Sequence, residues 1–223
     1  MRIVKSDVEI QRDVLEELKW DTRVEAPEVG VEVDDGVVTL TGAVSSYAKK
    51  IAAQNAAHRV VGVLDVVNDL RVHVPLHTQR SDTEIAQAVR QALMWDVFVP
   101  EEHIRTTVTD GWVTLEGEVE RLTQWEDAEN AIRHLEGVRG VNNRLTIHPP
   151  EVDAEELRET IEAALERRAD REAGRIGITV TGGRVTLTGR VQSWRERKAV
   201  VGTVSHAPGV RVVEDQLELG MLG

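Results

Sequence analysis

The stretch Gly36–Val44, G-V-V-T-L-T-G-A-V, returns as G-W-V-T-L-E-G-E-V at Gly111–Val119 and as G-R-V-T-L-T-G-R-V at Gly183–Val191, at spacings of 75 and 72 residues. Behind an opening glycine, apolar residues alternate with polar ones, the pattern of a half-buried strand entered through a tight turn. Recurrence at a near-constant spacing marks a tandem array. Landmarks on both sides keep one register. Ser6, Ser81 and Asp153 stand thirty residues before the first glycine; Gly62, Gly137 and Gly209 stand twenty-six after it; Leu70, Leu145 and Leu217 come eight further on. The 223 residues therefore divide into domains at 1–75, 76–148 and 149–223, with linkers at Pro75–Arg80 and around Pro149 and Pro150.

Each copy reads as αββαβ. Ser6 with Glu9 and Ser81 with Glu84 have capping-box spacing, and Asp153 with Glu156 is a close variant, so a helix starts at each. Its stripe is Ile10, Val14 and Leu18, then Ile85, Val89 and Leu93, then Leu157, Ile161 and Leu165, one face of a helix. Val29, Val31 and Val33, a turn at Asp34-Asp35-Gly36, and Val38, Leu40 and Val44 describe a hairpin. The other turns fall at Gly111 and at Gly182-Gly183. On the inward register sit Gly42, Gly117 and Gly189, where a helix is expected to press. A second helix follows over Ala53, Ala56 and Ala57, with Ala128, Ala131 and Ile132 in copy two. Gly62, Gly137 and Gly209 are expected to end it in the left-handed conformation. A last strand closes the unit. The fold class is α+β: three tandem domains, each a three-stranded mixed sheet with two helices on one face.

A unit of about 70 residues with a capped helix, a G-x-V-x-L-x-G-x-V hairpin, an Ala-rich helix and a G-V-x-x-V-x-[ND]-x-L strand resembles the BON domain. That family is named for bacterial osmotically inducible and nodulation proteins. The residues carrying the resemblance are Gly36, Val38, Leu40, Gly42, Val44, Gly62, Val63, Val66, Asn68 and Leu70 with their counterparts. The resemblance implies non-enzymatic phospholipid- or membrane-associated modules of stress proteins, secretins, transport channels and cation-sensing proteins. Osmotic-stress members usually carry an export signal, and the start M-R-I-V-K-S-D-V-E-I has no apolar segment of that kind. A bacterial cytoplasmic location is expected, and a periplasmic one only if the native N-terminus has been removed.

Composition narrows the chemistry. The net charge is −12, from 27 Lys and Arg against 39 Asp and Glu, which disfavours nucleic acid. No apolar run is long enough to be a transmembrane segment. Without cysteine there are no disulfides and no thiolate metal sites. The seven histidines read as surface or linker residues, and no nucleophile elbow or P-loop is present. No catalytic residue, metal ligand or cofactor is expected.

Asn68, Asn143 and Asp215 recur at the last strand and are expected to bond local backbone, with a monovalent cation (K⁺) site as the lesser reading. By copy the charge is −4, −6 and −2. Copy three carries Arg184, Arg190, Arg195, Arg197 and Lys198, a candidate surface for anionic phospholipid or an acidic protein. Trp112 lies on the uncovered sheet face, anchoring a partner or buried between domains. Trp20 and Trp95 end the first helix, where core or inter-domain packing is expected. Trp194 aligns with Tyr47 and Leu122 in a structural apolar slot. Two functional readings stand: protein interaction or self-association by tandem domains, and peripheral binding to a phospholipid surface. A compact cluster and an open string of domains are both compatible with the sequence.

Overall fold

The computed structural model describes residues 5–24, 26–150, 152–168 and 176–219 and shows three αββαβ units. In the first, α1 (Asp7–Trp20) leads into the hairpin β1 (Val29–Asp34) and β2 (Val37–Val44), then α2 (Tyr47–His58) and a last strand split into β3 (Asp65–Asn68) and β4 (Arg71–Val72). The second runs through α3 (Asp82–Trp95), β5 (Ile104–Thr109), β6 (Trp112–Val119), α4 (Leu122–Ile132) and β7 (Gly140–Ile147). The third runs through α5 (Ala154–Arg168), β8 (Ile176–Thr181), β9 (Arg184–Val191), α6 (Trp194–Ser205) and β10 (Val212–Leu219). In each sheet the second hairpin strand is central, antiparallel to the strand before it and parallel to the last. A parallel pair cannot be closed by a tight turn, so the second helix makes the crossover.

Helices begin where cap and stripe coincide. The Glu9 carboxylate accepts from the Ser6 N–H at 2.8 Å while the Ser6 hydroxyl accepts from the Glu9 N–H, and Ser81 with Glu84 repeats the pair. In copy three Asp153 Oδ1 accepts from the N–H groups of Glu155 and Glu156 at 2.8 and 3.2 Å. The three predicted stripes are buried, each against the central strand of its own sheet, so there are three separate cores.

The hairpin turns put both central residues at positive φ: Asp35 and Gly36 at +46° and +77°, Asp110 and Gly111 at +51° and +78°, Gly182 and Gly183 at +55° and +78°. That is the two-residue turn whose twist matches the strands. In the first two copies a carboxylate from the opening helix turn supports it. Asp7 accepts from the N–H groups of Asp35 and Gly36 at 3.1 and 3.0 Å, and Asp82 from those of Asp110 and Gly111 at 2.9 Å each. Copy three has Ala154 at that helix position and Gly182 in the turn. The acceptor is absent where the turn residue no longer carries a Cβ into the left-handed region.

Two glycine expectations are corrected. No α-helix presses on Gly42 or Gly117; a Cβ at either would run into the carbonyl oxygen of Glu28 or His103, the last residue of the short 3-10 helix (Ala26–Glu28 or Glu101–His103) that leads into the first strand. Gly62, Gly137 and Gly209 do have positive φ, +103°, +87° and +94°, but the second helices end four or five residues before them. Their role is close approach to the first helix, since a Cβ at Gly62 or Gly137 would lie 3.0 or 2.9 Å from the side chain of Ile10 or Ile85.

Candidate functional site

One position in the repeat joins the units. Tyr47, Leu122 and Trp194, equivalent residues at the start of the second helix, each leave their own unit for another. Tyr47 of copy one packs against the core of copy two, where its hydroxyl faces the Glu129 carboxylate. Leu122 of copy two packs against the core of copy three. Trp194 of copy three returns to copy one. Its indole N–H donates to the Val63 carbonyl at 2.9 Å, and its ring stacks on His58 with centroids 4.2 Å apart and planes at 15°. The Arg197 guanidinium sits 4.7 Å from the same indole centroid. The contacts therefore run head to tail and close, from one to two, two to three and three back to one.

Charged groups on the second helices are buried by these joints, and their acidities record it. Burial raises the carboxyls of Glu126, Asp127 and Glu129 on α4, opposed at Glu126 by His206 and Lys198 of copy three. Burial lowers His58, with Lys198 and Arg197 adding to the effect and Asp65 opposing it. His58 was expected on the surface or in a linker; it is half-buried, and its Nε2 is buried without a hydrogen-bond partner.

The basic residues of copy three spend most of their charge internally. Arg184 pairs with Glu214, Arg190 with Glu218 at 3.3 Å, and Arg197 with Asp215 at 2.6 Å, all acids of β10. Arg195 is exposed and forms no ion pair among the described residues, and Lys198, also exposed, lies in the field of Glu126 and His58. Trp112 is 48% exposed and lies over the backbone of Gly140, where a Cβ would strike its ring. Trp112 and the copy-three basic group belong to different units, and Trp112 enters none of the three joints just described.

The packing expected of Trp20 and Trp95 is not found. They are 85% and 76% exposed, and beside Trp95 the side chains of Met94, Val97 and Phe98 are exposed too. The sequence held the signal, because Trp20 follows Leu18 by two residues, about 200° around a helix of 3.6 residues per turn. That places it opposite the buried stripe.

Asn68, Asn143 and Asp215 lie within or at the end of their strand segments. Each accepts from the N–H two residues on, that of Leu70, Leu145 or Leu217 at 3.3, 3.3 and 3.0 Å. The amides of Asn68 and Asn143 donate to the carbonyls of Lys50 and Trp125, while Asp215 takes Arg197. These side-chain oxygens are thus engaged in local bonds. Among the described residues no cluster of His, Asp and Glu is arranged to hold a metal ion. A polar cleft of about 270 Å³ lies beside the second hairpin turn, lined by Arg80, Asp82, Asp110 and Arg139. Its charges are partly committed, Asp82 to the turn and Arg80 to Glu136 at 2.6 Å. Among the described residues no helix is long and apolar enough to cross a membrane.

The chain is similar to the osmotically-inducible protein Y of Escherichia coli (strain K12), 32% identical over 126 residues, which is 55% of this chain and 63% of that protein. It thus spans less than two thirds of that relative. Among solved structures, CdsD, a structural protein of the type III secretion system of Chlamydia trachomatis, is 16% identical over 94% of this chain and 91% of that one, with a TM-score of 0.27. The CdsD C-terminal domain is 15% identical over 97% of this chain and all of that one, again at 0.27. The BON domain matches at residues 6–73, 81–149 and 153–221, the same stretches that carry the three αββαβ units, and the chain belongs to the BON domain family.

Proposed function

We propose that the chain is a non-enzymatic, stress-associated binding platform that presents exposed apolar side chains to a protein partner. Division into units at 75/76 and 148/149 belongs to the same reading. The observation that carries it is the exposed group Met94, Trp95, Val97 and Phe98, with Trp20 at the equivalent helix end of copy one. Tyr47, Leu122 and Trp194, by contrast, are already used between copies. Large exposed aromatics at one place mark contact surfaces on soluble proteins. The osmotically inducible relative supports the stress context. Photo-crosslinking from position 98 in osmotically shocked cells tests it. A crosslinked protein that disappears when Trp95→Ser is added, with the fold intact by circular dichroism, supports the reading; crosslinking indifferent to Trp95→Ser sinks it.

One observation favours a phospholipid surface instead: indoles exposed like Trp20 and Trp95 suit the boundary between headgroups and acyl chains. Against it stands the neutralisation of Arg184, Arg190 and Arg197 by β10, which leaves anionic lipid little attraction. Flotation with anionic vesicles at low salt separates the two. Retention abolished by Trp20→Ser with Trp95→Ser favours lipid, and no retention favours protein.

A further inference from the structure

We propose that the contact between His58 and Trp194 is a proton-operated latch that holds copy three against copy one. The joint is built on two interactions of one indole, its N–H to the Val63 carbonyl and its face on the His58 ring. Both need the His58 ring held in its buried place beside Arg197 and Lys198, a place that favours the neutral imidazole. His58 Nε2 is buried and has no hydrogen-bond partner. A neutral ring carries a lone pair or a weak donor there at moderate cost, whereas a protonated ring carries a charged N–H with no acceptor. Protonation also adds a second cation to an indole that already faces Arg197.

The groups around His58 act in both directions. Asp65, on the strand that follows α2, favours the cation, and so does the position of His58 as the last residue of that helix. Arg197 and Lys198 of α6 oppose it. Glu126 of α4 faces Lys198 and His206. Burial is the largest influence, and the closed joint holds His58 below its ordinary value of 6.5. The closed form thus binds fewer protons than the open one. Closure is undiminished above the ordinary value and weakens as pH falls through it toward the lowered one. Neither other joint shares the device, since the equivalents of His58 are Arg133 and Ser205. At α4 the sign is reversed: raised carboxyls relieve buried charge when they take protons. Acid therefore releases the joint from three to one while sparing those from one to two and two to three, converting a closed circuit into an open string.

The chain has no cysteine, so Thr41→Cys and Thr188→Cys, exposed on the central strands of copies one and three, accept two spin labels cleanly. Pulsed dipolar distances in the full chain are expected to show one population at roughly pH 8 and a second, reversible one growing toward about pH 5. With His58→Phe the high-pH distance should persist throughout. Histidine and indole NMR on the unsubstituted chain gives a second reading: His58 titrates below its ordinary value of 6.5, and the Trp194 N–H resonance moves with the same midpoint. A wild-type distance that ignores pH, the same shift with His58→Phe, or a Trp194 N–H that does not follow His58 overturns the proposal.

Discussion

Asp7 and Asp82 show how a single side chain decides whether a hairpin turn tolerates aspartate. Each carboxylate holds two turn N–H groups, and copy three, with Ala154 instead, uses Gly182. Gly182→Asp should therefore cost about 1 kcal/mol, because a residue with a Cβ enters the left-handed region without support. Adding Ala154→Asp should recover most of that loss, and urea midpoints of the single and double variants check it. Asp21 carries a pH dependence of its own. Arg23 and Arg59, bonded to it at 2.6 and 2.8 Å, hold its carboxyl well below the ordinary carboxylate range, Arg23 having the larger effect. Its contribution is present above the ordinary value of 3.8 and is lost as pH falls through the lowered one. Asp21→Asn should remove that acid limb from a plot of unfolding midpoint against pH.

At the scale of elements, the start of the second helix is the hinge of the arrangement, because one repeated position reaches into a different unit each time. Trp194→Ala removes a stacked ring pair and a hydrogen bond, which together are worth about 1–3 kcal/mol. The loss should appear as earlier unfolding of copy three, read by hydrogen exchange across α6 and β10. The ends of α1 and α3 behave in the opposite way. Trp95→Ser and Phe98→Ser should leave stability within about 0.5 kcal/mol, since neither side chain is buried, while removing partner contact. Thermal unfolding beside the crosslinking yield measures both. Helix starts, stripes and turns were legible in the residues because capping and periodicity are local. The exposure of Trp20 was legible on a helical wheel, but composition draws attention to tryptophan as core material.

For the whole molecule, units of about 74 residues bury a modest core, and a closed set of joints adds burial that a single unit lacks. A chain ending after residue 148 keeps the contact of Tyr47 with copy two and loses that of Trp194 with copy one. Copy one should then melt earlier than in the full chain, and His58 should titrate nearer its ordinary value, both checked by NMR. From the residues alone came the three copies, the αββαβ order, the caps, the core stripes and the family, all of which depend on neighbours within about a turn or a hairpin. Tertiary structure alone decided that Trp194 meets a carbonyl 131 positions away, that β10 neutralises the arginines of β9 and α6, and that the units close into a circuit. An apolar side chain at a helix start records that it must be covered; which surface covers it depends on how three finished domains fit together in space.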